Sequence, residues 1–223
     1  MLVARRKGPL RELAEELGGE FEVCDVGDRE AVERVAAAVR ERHPALGLLV
    51  NNAGIPGRVD FLAADPERIE AVMRVNYLGS VWCLRAFLPA LEAGAPSDVV
   101  NVVSVAGTIA AGSSGPYTAS KHAQLAFSRT VAGALRGRGV RVHTVLPGFV
   151  ETEGFPQREH LPRAFHRLIA EPEDVAAAIV RTIERDRREA FVPRWYRLPA
   201  LAGGLVPGLV ARAAGRAVPR KPA

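Results

Sequence analysis

The chain has 223 residues, 48% hydrophobic and 25% charged, a balance that suits one globular domain with a sizeable core and excludes a disordered or disulfide-built chain. Its formal charge of +5 comes from the C-terminal end, where Arg194, Arg197, Arg212, Arg216, Arg220 and Lys221 follow the last acidic residue, Glu189. The body before them is close to neutral, with neither the basic face nor the reading module of a nucleic-acid binder. Cys24 and Cys83 are too few for a disulfide framework and lack the spacing of a structural zinc site, so the expectation is a cytoplasmic protein that needs no metal. Residues 1–13 lack the apolar run of a secretory signal, and no stretch reaches the roughly 18 apolar residues of a spanning helix.

In chain order, residues 2–4 read as a short strand, and Pro9, Leu10, Leu13, Ala14 and Leu17 as an amphipathic helix closed by Gly18-Gly19. Residues 21–24 give a strand, Asp28 caps a helix carrying Val32, Val35, Ala36 and Val39, and the apolar strand 46–50 runs into Asn51-Asn52-Ala53-Gly54. One long helix is predicted over residues 66–87 and a buried strand over 98–104. A Gly/Ser loop then leads into a helix over 117–135, and the strand 140–146 ends at Pro147-Gly148. Beyond an irregular stretch with a short helix near residues 161–168, helical spacing returns over 173–184, and residues 190–192 form a last strand. Strands alternating with helices, most of them apolar throughout, predict a three-layer α/β sandwich on a mostly parallel sheet, with ligands at the carboxyl ends of the strands.

The loops after those strands carry the chemistry. Tyr117 and Lys121 are spaced i, i+4 and share a helical face, and the loop from Ser104 is long enough to bring its hydroxyl back towards the phenol. A cation beside a phenol favours the ionised form, so the trio suits proton transfer to or from a substrate oxygen. Taken alone, the spacing is equally met by a capping Tyr117, a snorkelling Lys121 and a Ser104 that satisfies a loop amide. Asn76, inside an otherwise apolar helix, either finds a polar partner or faces water. His143, His160 and His166 form no metal-ligand pattern with neighbouring acids.

Asn51-Asn52-Ala53-Gly54, Asn76, Ser104, Tyr117-Thr118-Ala119-Ser120-Lys121 and Pro147-Gly148-Phe149-Val150-Glu151-Thr152 resemble, in order, the NNAG, Asn, Ser, YxxxK and PG segments of the short-chain dehydrogenase/reductase family. These are NAD(P)-dependent oxidoreductases on a Rossmann-like domain, and the resemblance spans residues 1–193, leaving 194–223 as a basic, apolar tail. It implies that Tyr117 is the general acid/base, that Ser104 positions the reacting oxygen, and that Lys121 lowers the phenol's pKa and binds ribose. It also implies that Asn76 holds the lysine through a water. Asp25 and Val26 would flank adenine, Asn52, Ala53 and Gly54 would lie along the cofactor, and Pro147, Gly148, Val150 and Thr152 would contact its nicotinamide half.

At the end of the first strand, Ala4-Arg5-Arg6 offers guanidinium groups to a 2′-phosphate where an acidic residue would select a 2′-hydroxyl, so Arg5 favours NADP over NAD. Against the family pattern the chain has no TGxxxGxG-like element. The expectation is therefore an N-terminally incomplete domain, lacking the first strand, Gly-rich turn and first helix, with a natural start roughly 30 residues upstream. The alternative is a noncatalytic Rossmann-like binding or regulatory protein, one that another chain would complete. The resemblance implies a small-molecule alcohol or carbonyl substrate and a homodimer or homotetramer. Phe149, Phe155, Leu161, Phe165 and Leu168 are candidates for an apolar substrate pocket. The tail, broken by Pro199 and Pro207, is expected to dock on its own chain or a partner copy, with a substrate lid or peripheral membrane contact as lesser alternatives.

Overall fold

The computed structural model describes residues 1–57, 59–110, 115–152, 156–160, 162–206 and 208. Strand β1 (Leu2–Ala4) pairs in parallel with β2 (Phe21–Val23), Leu2 opposite Phe21. The helix joining them, α1 (Lys7–Glu16), buries Leu10 and Ala14, while Leu13 and Leu17 of the predicted apolar face are exposed. This corrects the expectation of a chain lacking its first strand and first helix: a strand and a helix stand at its opening, the strand held by parallel pairing to β2. The turn between them is Arg5-Arg6, with no glycine run.

Helix α2 (Arg29–Arg42) starts at Asp28, whose carboxylate accepts from the Ala31 amide at 3.1 Å, the N-cap that the sequence suggests. It leads to β3 (Leu48–Asn51), the first strand of a second sheet that continues through β4 (Ser97–Val102), β5 (Val140–Pro147) and β6 (Glu189–Val192) in the order β3-β4-β5-β6. Every pairing in both sheets is parallel. The single open sheet of the sequence reading is thus two parallel sheets among the described residues. A cleft of about 770 Å³ lies between them, lined by both β1 and β3.

Strand β4 shows why these segments read as unbroken apolar runs. Val99 and Val100 are both fully buried, yet they lie in different clusters because neighbouring side chains leave a strand on opposite faces. Val99 packs with Ala36 and Val39 of α2 and with Leu84, Phe87 and Leu91, while Val100 and Val102 pack against Val175 and Ala178 of helix α7 (Pro172–Glu184). These are the three layers.

The helix expected over residues 66–87 is three consecutive pieces: α3 (Pro66–Met73), a π-helical turn (Arg74–Leu78), and α4 (Gly79–Ala93), which runs on past Pro89. Helix α5 (Gly115–Leu135) covers β4 and β5, and α6 (Gln157–His160) is one short turn. In the tail, α8 (Arg197–Leu205) forms where the sequence suggested a broken segment, because Pro199 falls in its first turn, where a missing N–H leaves no intrahelical bond unmade. Phe155, Leu161 and residues 209–223 of the tail lie outside the described residues, as does the side chain of Phe165. No described helix is long and apolar enough to cross a membrane.

Candidate active site

Ser104 follows the carboxyl end of β4. Its hydroxyl accepts from the Ala106 amide at 3.1 Å, capping a 3-10 turn (Val105–Gly107), and donates to the Pro147 carbonyl at 3.4 Å, so it ties together the ends of two adjacent strands. The second bond is long and weak, which leaves the hydroxyl easily redirected. At Gly107, a Cβ would stand 2.7 Å from the Lys121 carbonyl oxygen, so only glycine lets this turn lie directly on α5.

Tyr117 is half-buried in the first turn of α5, and Lys121, one turn on, is 3% exposed. The lysine neither snorkels nor pairs with a carboxylate: Nζ donates to the Val102 carbonyl at 3.2 Å and to Gln124 Oε1 at 2.8 Å. It lies 5.8 Å from the centroid of the Tyr117 ring. Burial disfavours the charged form and brings the ammonium pKa from 10.5 down to about 7.

Asn76 sits in the π-helical turn, the kind of local insertion that recurs at functional sites. It is fully buried, which settles the choice between partner and solvent. Its Oδ1 accepts from the Ile55 amide at 2.8 Å, and Nδ2 donates to the Ile55 carbonyl at 3.0 Å and to Ser120 Oγ at 3.1 Å. Ser120 in turn donates to the Tyr117 carbonyl at 2.7 Å. One amide therefore clamps the loop after β3 to the helix bearing Tyr117 and Lys121. Gly54 marks the junction: a Cβ there would meet Asn76 Oδ1 at 3.5 Å and Lys121 Nζ at 3.8 Å.

From that junction the cleft runs between the two sheets, with Arg5, Asp25, Val26, Asn52, Ala53 and Gly54 among its lining residues. The Arg5 guanidinium stands 3.7 Å from the Asp25 carboxylate, both side chains about half exposed, a weak pair. On the far side of Ser104, the Gly148 amide donates to the Val192 carbonyl at 2.8 Å, Val150 forms a parallel bridge to Ala170, and Thr152 is exposed. Gly148 is crossed by Tyr196, whose Cε2 would lie 1.9 Å from a Cβ at that position. The Tyr196 ring stacks on Trp195 at 3.9 Å and meets Phe149 edge-on at 6.5 Å.

The structure thus assembles Ser104, Lys121, Asn76 and Pro147 around the first turns of α5, and it gathers the predicted adenine-side and NNAG residues along one cleft. The sequence reading missed Ser80, Ser120 and Gln124. The signal for Ser120 and Gln124 was present: Ser120, Gln124 and Ser128 recur every fourth residue of α5, a polar stripe that is fully buried.

Parallel α/β layers, a cleft between the two sheets that reaches Gly54, and a buried ammonium on the other side of that glycine accord with a nicotinamide-dependent oxidoreductase acting on a small organic substrate. The chain belongs to the short chain dehydrogenase family, whose sequence profile matches residues 1–161. It is 36% identical over 191 residues to galactitol 2-dehydrogenase (L-tagatose-forming) of Cereibacter sphaeroides, covering 80% of this chain and 75% of that protein. It is 35% identical over 172 residues to 1-deoxy-11-beta-hydroxypentalenate dehydrogenase of Streptomyces exfoliatus, covering 75% of this chain and 62% of that one. Several curated relatives are thus matched over less than two thirds of their length. Among solved structures, a short chain dehydrogenase from Burkholderia cenocepacia in complex with NADP superposes with a TM-score of 0.81 at 27% identity, over 97% of this chain and 85% of that one. A 3-oxoacyl-[acyl-carrier protein] reductase from Brucella melitensis in complex with NAD gives 0.75 at 26% identity, over 85% of this chain and 83% of that one.

Proposed function

We propose that the protein interconverts an alcohol and a carbonyl, using NADP in preference to NAD. The observation that carries this reading is the Lys121 ammonium, buried one helical turn from Tyr117 on the helix packed against the Ser104 turn. A phenol ordinarily titrates near about 10, and a cation beside it favours the phenolate. In the oxidising direction Tyr117 accepts the proton of the substrate hydroxyl, and in the reducing direction it returns one to the carbonyl oxygen. Ser104 turns its hydroxyl from the distant Pro147 carbonyl to that oxygen and orients it. Asn76 keeps the loop after β3 pressed on α5, so that the phenol and the cleft hold a fixed relation.

The donor set fits a dinucleotide. Arg5, Asp25 and Val26 would take the adenosine end, Asn52, Ala53 and Gly54 the stretch between, and Tyr117, Lys121, Pro147, Gly148, Val150 and Thr152 the nicotinamide half. The cleft, at about 770 Å³, is of ligand size. When bound, the dinucleotide supplies or accepts the hydride. Arg5 supports NADP because its guanidinium, held only by the weak pair with Asp25, can turn to a 2′-phosphate. Phe149, 37% exposed, and the half-buried Leu168 give the substrate side an apolar character, in keeping with a small or hydrophobic substrate. Family membership supports a homodimer or homotetramer, which light scattering checks, and two free thiols accord with a cytoplasmic setting.

A screen of alcohols with NADP and of aldehydes and ketones with NADPH tests the reading. Turnover is expected, with a loss of about 10²–10⁴-fold in Tyr117→Phe. A variant as active as the natural protein would overturn it.

A further inference from the structure

Two of the three hydrogens of the Lys121 ammonium are taken up inside the protein, one by the Val102 carbonyl at 3.2 Å and one by Gln124 Oε1 at 2.8 Å. The first acceptor is a strand carbonyl, fixed by the fold. The second is a side-chain amide with its own rotamers, and it is fixed in turn by a third group. Gln124 Nε2 donates to Ser80 Oγ on α4 at 2.8 Å, which sets both the place of the amide and the direction in which its oxygen faces. Gln124 is 0% exposed and Ser80 5%, so no solvent competes for either bond.

We propose that Gln124, oriented by Ser80, is a positioning residue that holds the Lys121 ammonium at the junction of the cleft and the Tyr117 helix. This rests on the proton-transfer reading of Tyr117 and Lys121 given above. With the two rear hydrogens engaged, the third is left for the side where Gly54 passes, 3.8 Å from Nζ at its would-be Cβ. Gln124 also adds to the stabilisation that the Val102 carbonyl gives the ammonium. Besides Gln124, the groups placed near Nζ are the Val102 carbonyl from β4, Gly54 from the loop after β3, and the Tyr117 ring from α5. Of these only Tyr117 is titratable, and burial is the cause of the lowered ammonium pKa. An amide oxygen on the ammonium opposes that burial by favouring the charged form.

The test uses the full chain labelled with ε-13C lysine. Lys7, Lys121 and Lys221 are the only lysines, so three resonances are assigned by Lys7→Arg and Lys221→Arg. Lys121 is expected to titrate below the other two. In Gln124→Leu its titration midpoint falls by about one further unit and its chemical shift changes. In Gln124→Glu, which keeps an acceptor and adds a charge, the midpoint rises. Ser80→Ala, which frees the amide without touching the lysine, gives a smaller change of the same sign as Gln124→Leu and serves if that variant does not fold. In turnover, the pH profile of kcat moves by about one unit in Gln124→Leu and the opposite way in Gln124→Glu, while KM for the alcohol is unchanged. A Lys121 titration and chemical shift that are the same in folded Ser80→Ala, Gln124→Leu and natural protein would overturn the proposal. If the lysine responds to Gln124 while Tyr117→Phe turns over as fast as the natural protein, the positioning of the ammonium stands and the proton-transfer reading fails.

Discussion

Replacing Lys121 with methionine removes the ammonium while keeping an unbranched stem of similar length, and the structure fixes how the two proteins should differ with pH. Burial takes the lysine's pKa from 10.5 to about 7. Between those values the unfolded chain holds a proton that the folded chain has released, so unfolding takes up a proton and the folded state gains stability as pH rises. Below about pH 7 both states are protonated and the full cost of the buried charge stands. From pH 7 to pH 9 the linked gain is about 2 kcal/mol, present in the natural protein and absent from Lys121→Met. Urea unfolding of both proteins at pH 7, 8 and 9 measures it, and groups common to the two cancel in the difference. The hydrogen bonds to Val102 and Gln124 change the absolute stability gap at any one pH, which is why the slope is the quantity to read. Two stability curves that stay parallel over this range would show that the buried ammonium is not carrying the cost assigned to it.

Two further substitutions probe the two ends of the candidate site. Arg5→Ala is expected to weaken NADP binding by about 10–100-fold, the worth of a charge-assisted hydrogen bond, while NAD binding changes less than twofold; fluorescence titration of both cofactors checks this, and an equal loss for the two would remove the case for a 2′-phosphate contact. Gly148→Ala places a Cβ 1.9 Å from the Tyr196 ring, which is itself stacked on Trp195. The ring must shift, at a cost of about 1–3 kcal/mol in thermal unfolding and with a change in tryptophan emission; unchanged melting and emission would contradict the close contact.

The parts of this fold that the sequence shows plainly are those whose signal is local. Asp28 before a run of apolar residues at helical spacing specifies the start of α2, and the β-branched run of β4 marks a strand buried on both faces. What it hides depends on partners distant in the chain. Nothing near Asn76 announces a π-helical turn, because the apolar period on both sides reads as one helix, and only the meeting with Ile55 and Ser120 accounts for a buried amide there. The division into two sheets depends on which strand edges meet, which no run of residues encodes. The opening strand and helix were visible as elements, yet matching them to a family pattern by order alone misjudged their place. At the site, the motif residues stood out by type and spacing, whereas Gln124 and Ser80 act through each other and carry no motif of their own.

The buried polar stripe of α5 bears on how the site holds its shape. Ser120, Lys121, Gln124 and Ser128 meet Asn76, the Val102 carbonyl, Ser80, Asn101 and Thr144 on the π-helical turn, β4, α4 and β5. The stripe continues across the sheet, where Asn51 donates to Asn101 at 2.9 Å and Asn101 to Ser128 at 2.9 Å. Apolar contacts alone would tolerate a slide or a turn of α5 about its axis, since one Leu or Val surface resembles another. A helix whose buried face must satisfy this many hydrogen bonds has no such freedom: a rotation by one residue, about 100°, would leave several polar groups in the core without partners, each at about 1–3 kcal/mol. The placement of Tyr117 and Lys121 against the strand ends is therefore set one to three turns further along the same helix, by residues that never touch a substrate.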